Sequence, residues 1–291
     1  MTKNEIIKVF LHEADSKSRK YSECTKNTYL SYITKYIESL NKDVSESTER
    51  DVRKFMDRYE NMSDKTYNLA LTSIKVLYDI LTTSILVEEN YIKKNPVKNI
   101  KAIANPKSKE KKSISAEDYN AMLRQCKNTR DTAILTFLMN TGVRESELIN
   151  LTLEQYLNRD EDNGIKLVVT KGSKERMIYL NENVINAIEN YLPFRKPNCD
   201  YLFVSNGSKK MTSSAIWKNI KTLAKRARLD EDVIDNLSAH SFRHSMISNM
   251  INEGVNIATV ATIVGHNNIN TTMGYVDRDK LDVKNAMLNC I

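Results

Sequence analysis

The stretch "LSAHSFRHSMISNM", residues 237–250, sets His240, Arg243 and His244 at the i, i+3 and i+4 spacing of one helical face. The chain has four histidines, and three of them, His240, His244 and His266, fall between residues 240 and 266. Two chemistries gather histidines in this way. In the first, His240, His244 and His266 ligate zinc. Against it, the general-base glutamate of an HExxH motif is absent, and Arg243 would set a fixed positive charge between the ligands. In the second, the cluster binds an anion. A guanidinium grips two phosphate oxygens with parallel hydrogen bonds, and histidines add further donors.

Working outward, the anion reading finds partners elsewhere in the chain. Arg144 in "NTGVRESEL" (140–148) stands at a helix start just after a glycine turn, where free backbone amides also favour anions. Lys171 in "TKGSKER" (170–176) sits at a hairpin tip, from which a lysine can reach into a groove and protonate a leaving alkoxide. Tyr275 closes "GHNNINTTMGY" (265–275) and is the candidate nucleophile. A phenol titrating near ~10 needs cationic surroundings to attack at neutral pH. Each residue also has an ordinary reading. Glu145 and Glu147 are at hand to pair with Arg144, Lys171 suits any polar hairpin, and Lys174 competes for its duty.

Composition narrows the class. A chain of 291 residues with 41% hydrophobic residues is long enough for one large domain or two ordinary ones with real cores. It has neither an apolar run of membrane-spanning length nor an apolar N-terminal signal, so a cytoplasmic protein is expected. Cys24, Cys126, Cys199 and Cys290 lie far apart without a CxxC, which suits reduced core thiols. There is no GxxxxGK[ST] and no GxGxxG, so neither a nucleotide cofactor nor a metal is expected.

The net charge is +7, and the segment 93–112 accounts for all of it. Its eight lysines, Lys93, Lys94, Lys98, Lys101, Lys107, Lys109, Lys111 and Lys112, stand against one acid, Glu110. With Pro96 and Pro106 it reads as an extended, solvated linker between domains 1–92 and 113–291. It is either a plain spacer or a strap against a polyanion, because each lysine near a phosphate adds salt-sensitive affinity.

Ahead of the linker there is no glycine, since all seven lie from Gly142 to Gly274. Four helices are expected there. Capping-box patterns at Thr2–Glu5 and Thr48–Asp51 start two of them. Tyr29, Tyr32, Ile33, Tyr36, Ile37 and Leu40 form one apolar stripe, and Tyr67, Ala70, Leu71, Ile74, Leu77, Tyr78 and Leu81 another. The tyrosines are a base-stacking surface or, better supported by their place on the stripes, core residues with wet hydroxyls. After the linker, Ser115 caps a helix, and Gly142 ends the apolar helix of 130–141 in a left-handed conformation. "IKLVVTKGSKERMIYL" (165–180) changes to a strand period around Gly172 and Ser173, which predicts a hairpin. Asn181 opens a further helix, and Ile216, Trp217, Ile220 and Leu223 are expected inward on another. The fold class is mainly α with a small antiparallel sheet.

Together these motifs resemble the tyrosine site-specific recombinases, the phage-integrase family. "TGVRESEL" (141–148), "KGSKER" (171–176), "HSFRH" (240–244) and "GHNNINTTMGY" (265–275) occur in the family's order and spacing, and the resemblance runs through most of the chain. It implies a four-helix core-binding domain followed by a catalytic domain, with double-stranded DNA as partner. It also implies cutting and rejoining through a 3′-phosphotyrosine, without metal or ATP. Arg144 and Arg243 become the phosphate clamp, and His240 and His266 hydrogen-bonding or proton-transfer partners. Lys171 becomes the acid for the 5′-hydroxyl, and Tyr275 the nucleophile; His244 matches a structural position. Met273 and Gly274 depart from the bulkier pair common there, which bears on the resting position of Tyr275. Without an arm-binding domain ahead of residue 1, the expected likeness is to two-domain, Xer-like enzymes. The alternatives are a topoisomerase-like nicking and closing enzyme of type IB and a non-catalytic DNA-binding protein of the same fold.

The tail 276–291 places Val283, Ala286, Met287, Cys290 and Ile291 on one helical face. Either it folds back on its own domain, or, as the resemblance implies, it passes to the next subunit of a cyclic tetramer on two DNA sites.

Overall fold

The computed structural model describes residues 1–16, 18–104, 113–167, 175–207, 209–265 and 270–273. The chain divides into two compact units, Met1–Lys109 and Glu110–Ile291.

The first unit contains α1 (Lys3–Asp15), α2 (Glu23–Ser39), α3 (Glu49–Met56) and α4 (Asp64–Thr83), the four helices expected from the periodicity. Their starts are set by side chains. Thr2 accepts from the Glu5 amide at 3.3 Å while the Glu5 carboxylate takes the Thr2 amide at 2.7 Å. The Asp51 carboxylate likewise takes the Thr48 amide at 2.8 Å and its hydroxyl at 2.6 Å. Phe10, Ile33, Tyr36, Phe55, Leu71, Ile74, Leu77 and Tyr78 fill the core.

Tyr36 and Tyr78 are wholly buried, which supports packing over base stacking, but their hydroxyls are dry rather than wet. Tyr36 Oη lies 2.5 Å from Ser47 Oγ and 2.9 Å from Tyr78 Oη, and Tyr78 donates to the Val44 carbonyl at 3.2 Å. Burial raises the pKa of both phenols. The cluster joins α2 and α4 to the loop between α2 and α3.

The described part of the basic segment, 93–104, is not wholly extended and solvated. Val97 and Ile100 are buried in the first unit's core, each 3% exposed. They are three residues apart across a turn, so one side docks while Lys93, Lys94, Lys98 and Lys101 stay exposed. Lys107, Lys109, Lys111 and Lys112 lie outside the described residues.

The second unit runs α5 (Ala116–Arg124), α6 (Thr129–Thr141), α7 (Glu145–Asn150), α8 (Leu153–Leu157), β1 (Gly164–Leu167), β2 (Arg176–Tyr179), α9 (Glu182–Tyr191), α10 (Ser213–Arg226), α11 (Glu231–Asn236), α12 (Ala239–Asn252), α13 (Ile257–Val264) and α14 (Asn270–Met273). The two strands pair antiparallel, with Gly164 opposite Tyr179 and Leu167 opposite Arg176. α6 is the apolar centre, packed between α9 and α12. Its residues Ala133, Leu135, Phe137 and Leu138 are fully buried.

Two further details differ from the sequence reading. Trp217 is 54% exposed, with Lys221 over its ring at 5.5 Å, because Ile216, Ile220, Leu223 and Ala224 already fill the inward stripe of α10. Cys24, Cys126 and Cys199 are free thiols, yet Cys24 is exposed rather than in a core. Burial pushes the Cys126 thiol up to about 11. Among the described residues no helix is long and apolar enough to cross a membrane.

Candidate active site

The site begins where α6 ends. Gly142 takes φ +55°, a left-handed turn that suits glycine, and its amide closes on Leu138 O at 3.2 Å. Val143 is buried, and Arg144 becomes the residue that starts α7. The Glu147 carboxylate, in the first turn of α7, accepts the Arg144 amide at 2.7 Å and Arg144 Nη1 at 2.9 Å. Its side chain is only 4% exposed. Burying that carboxylate requires charged partners, and it has two. Arg176, at the start of β2, donates from Nη2 to Glu147 Oε2 at 2.6 Å.

α12 brings the third arginine. Its Ile247 packs with Val260 and Val264 of α13, and Ser245 anchors Ile114, two residues after the basic segment. Ser245 Oγ accepts from the Ile114 amide at 2.7 Å and donates to the Ile114 carbonyl at 2.9 Å. Arg243 is 1% exposed, with Nη1 donating to Gly142 O at 2.7 Å and Nη2 to Val264 O at 2.5 Å.

All three arginines therefore meet at one helix end. Ile263 O accepts from Arg176 Nη1 at 2.7 Å, Val264 O from Arg243, and Gly265 O from Arg144 Nη2 at 2.6 Å. The last carbonyls of a helix lack intrahelical partners and carry its negative dipole end, so guanidiniums are favourable there. Gly265 turns the chain with φ +65°. Burial pushes the Arg176 pKa down, as does the Arg144 charge, while the Glu147 carboxylate opposes both.

His240 lies in the first turn of α12, one helical turn before Arg243, and is exposed. Its ring meets that of buried His244 edge-on, with centroids 4.6 Å apart and planes at 89°. Among the described residues no three His, Cys, Asp or Glu side chains gather as a metal site would require. Of the residues singled out in the sequence, Arg144, His240 and Arg243 are brought to one region. Lys171, His266 and Tyr275 lie outside the described residues. Glu147 is the partner at hand for Arg144 in the sequence, and the structure pairs them; Arg176 stands in the sequence only as the end of the hairpin motif. The alternation of β2, with Arg176 in phase with buried Ile178, was the available signal.

Comparison with known proteins agrees with this architecture. Residues 112–281 match the phage integrase family, and residues 11–84 match the phage integrase N-terminal SAM-like domain. The tyrosine recombinase XerD of Yersinia pestis is 29% identical over 290 residues, covering 94% of this chain and 92% of that protein. The tyrosine recombinase XerA of Pyrococcus horikoshii is 30% identical over 259 residues, covering 86% and 83%. In fold, the Tn1549 transposon integrase, solved in complex with transposon right end DNA, superposes with a TM-score of 0.72 at 20% identity, covering 97% of this chain and 98% of that one. The chain belongs to the phage integrase family and is a tyrosine recombinase of the Xer type.

Proposed function

We propose that Arg144, Lys171, His240, Arg243, His266 and Tyr275 carry out the strand transfer of this site-specific DNA recombinase. The observation that supports it best is the meeting of Arg144 and Arg243, from α7 and α12, on the adjacent carbonyls of Gly265 and Val264. Two guanidiniums held on neighbouring carbonyls bring two forked donors together, which is what a clamp on a phosphate requires.

The Tyr275 oxygen attacks the scissile phosphorus and gives up its proton to His240 or His266. The bond from phosphorus to the 5′-oxygen breaks, and that oxygen takes a proton from Lys171. A 3′-phosphotyrosine results, and the two arginines stabilise the charge that builds on the non-bridging oxygens. Attack by the 5′-hydroxyl of a second strand reverses these steps and joins the new partner. Bond energy is kept in the phosphotyrosine.

Lys93, Lys94, Lys98 and Lys101, all exposed, with Lys107, Lys109, Lys111 and Lys112, hold backbone phosphates of the duplex. The reaction joins two sites, so a tetramer on two duplexes is the working assembly, with segment 276–291 passed between neighbours. Its place is the cytoplasm, where chromosomal and mobile-element DNA are both within reach.

The test is incubation with nicked duplexes carrying candidate sites. The protein should form an adduct that survives denaturant. Tyr275→Phe should bind the same DNA with unchanged affinity and form none; an adduct with that variant would remove Tyr275 from its role.

A further inference from the structure

Arg176 has no part in the strand transfer as proposed, yet it touches the described frame of the site on two sides. It opens β2, five residues after Lys171. Nη2 binds Glu147 Oε2 at 2.6 Å, and Glu147 Oε1 holds Arg144 Nη1 at 2.9 Å. Nη1 binds Ile263 O at 2.7 Å, one residue before the carbonyl that holds Arg243 and three before His266 in the chain. The path of its side chain is also reserved. A Cβ placed on Gly265 would lie 2.8 Å from Arg176 Cδ and 2.9 Å from Nε.

Stability alone is a poor reason for this arrangement. Glu147 supplies one negative charge for two arginines, so a surplus cation is kept where desolvation is costly and Arg144 repels it. An apolar pair of the same volume often does as well or better. A guanidinium does what an apolar side chain cannot: its planar fork fixes two acceptors at once in a set geometry.

We propose that Arg176 is a positioning residue for strand cleavage. Through Glu147 it fixes the Arg144 guanidinium. Through Ile263 O it fixes the helix end from which the chain runs on to His266. Loss of Arg176 then slows phosphotyrosine formation on bound DNA without weakening the binding. This rests on the roles given above to Arg144 and Tyr275.

The test is single-turnover cleavage of a nicked duplex at saturating protein, comparing wild type with Arg176→Met and Arg176→Lys. Rate constant, final amplitude and DNA affinity are read separately. Arg176→Met should keep the affinity within about threefold and the full amplitude, while the rate constant falls about 10- to 100-fold, as for lost orienting partners elsewhere. Arg176→Lys keeps the charge and can satisfy one acceptor, so its rate should fall between the two. It also decides the matter if the methionine variant does not fold. A reduced amplitude at the wild-type rate constant would make Arg176 merely structural and overturn the proposal. So would an affinity loss as large as the rate loss, which would make it a DNA contact. A normal wild-type adduct with unslowed variants defeats the role of Arg176 alone; a wild type that forms no adduct defeats the reading of the active site as well.

Discussion

Gly265 and Arg176 occupy a space that no side chain on residue 265 can share, since a Cβ there would lie 2.8 Å from Arg176 Cδ. The same glycine holds φ +65°, which disfavours any residue with a Cβ. Gly265→Ala is expected to destabilise the catalytic unit by about 1–2 kcal/mol from the backbone alone. Thermal unfolding measures it, at ~2–4 °C per kcal/mol for a domain of this size. The displaced Arg176 should also slow adduct formation, and the two effects are separated by measuring cleavage well below the midpoint.

The basic segment makes a salt-dependence prediction. Lys93, Lys94, Lys98 and Lys101 are exposed, whereas Val97 and Ile100 between them are buried. Changing the four lysines to glutamine should leave the unfolding temperature unchanged. The slope of log affinity against log salt should shrink by up to about 3.6, at ~0.9 per phosphate contact. An unchanged slope would reduce the segment to a spacer.

Truncation after Asp282 removes the apolar face of Val283, Ala286, Met287, Cys290 and Ile291. Binding to a single site should persist nearly intact, and the complex of two sites should be lost, as native gels or light scattering with site DNA will report. Paired complexes at wild-type protein concentration would rule out exchange of the tail.

Asp51 provides an acid-stability prediction for the first unit. Its bond to Lys42, at 2.7 Å, and those from Thr48 hold its carboxyl well below the usual carboxylate range. A depressed folded-state value contributes stability above the unfolded value of about 3.9, and that contribution is lost as pH falls through the folded value. Asp51→Asn should therefore be less stable than wild type at neutral pH, with the gap closing on acidification below ~4. Unfolding midpoints from pH 7 downward test it; a gap that is independent of pH contradicts the assignment.

Much of this architecture was legible because local spacing carries it. Of the stripe Tyr67, Ala70, Leu71, Ile74, Leu77, Tyr78 and Leu81 that helical periodicity turns inward, all are buried but Tyr67, which packs half-buried against the same core. Gly142 announced the left-handed end of α6. Trp217 lies outward because Ile216, Ile220, Leu223 and Ala224 already fill the inward stripe, which hydrophobic character alone does not show. In the basic segment, lysine density hid an apolar pair one turn apart. The frame of the site was illegible for a deeper reason. Arg176 binds a carbonyl 87 residues away, and a main-chain acceptor leaves no mark on the sequence. The order and spacing of the four motifs, rather than any one residue, is what made the chemistry readable.

The three carbonyls at the end of α13 impose unequal constraints on the residues that meet there. Any residue that keeps the helix supplies the same acceptor at positions 263 and 264, so those side chains are free to drift wherever packing allows. The donors have no such freedom, because no other side chain carries a forked cation. A library randomised over this region should accordingly tolerate apolar exchange at Ile263 while returning arginine at 144, 176 and 243. The helix end thus offers fixed mooring points whose identity the genetic code cannot alter, and variation falls on the ropes alone.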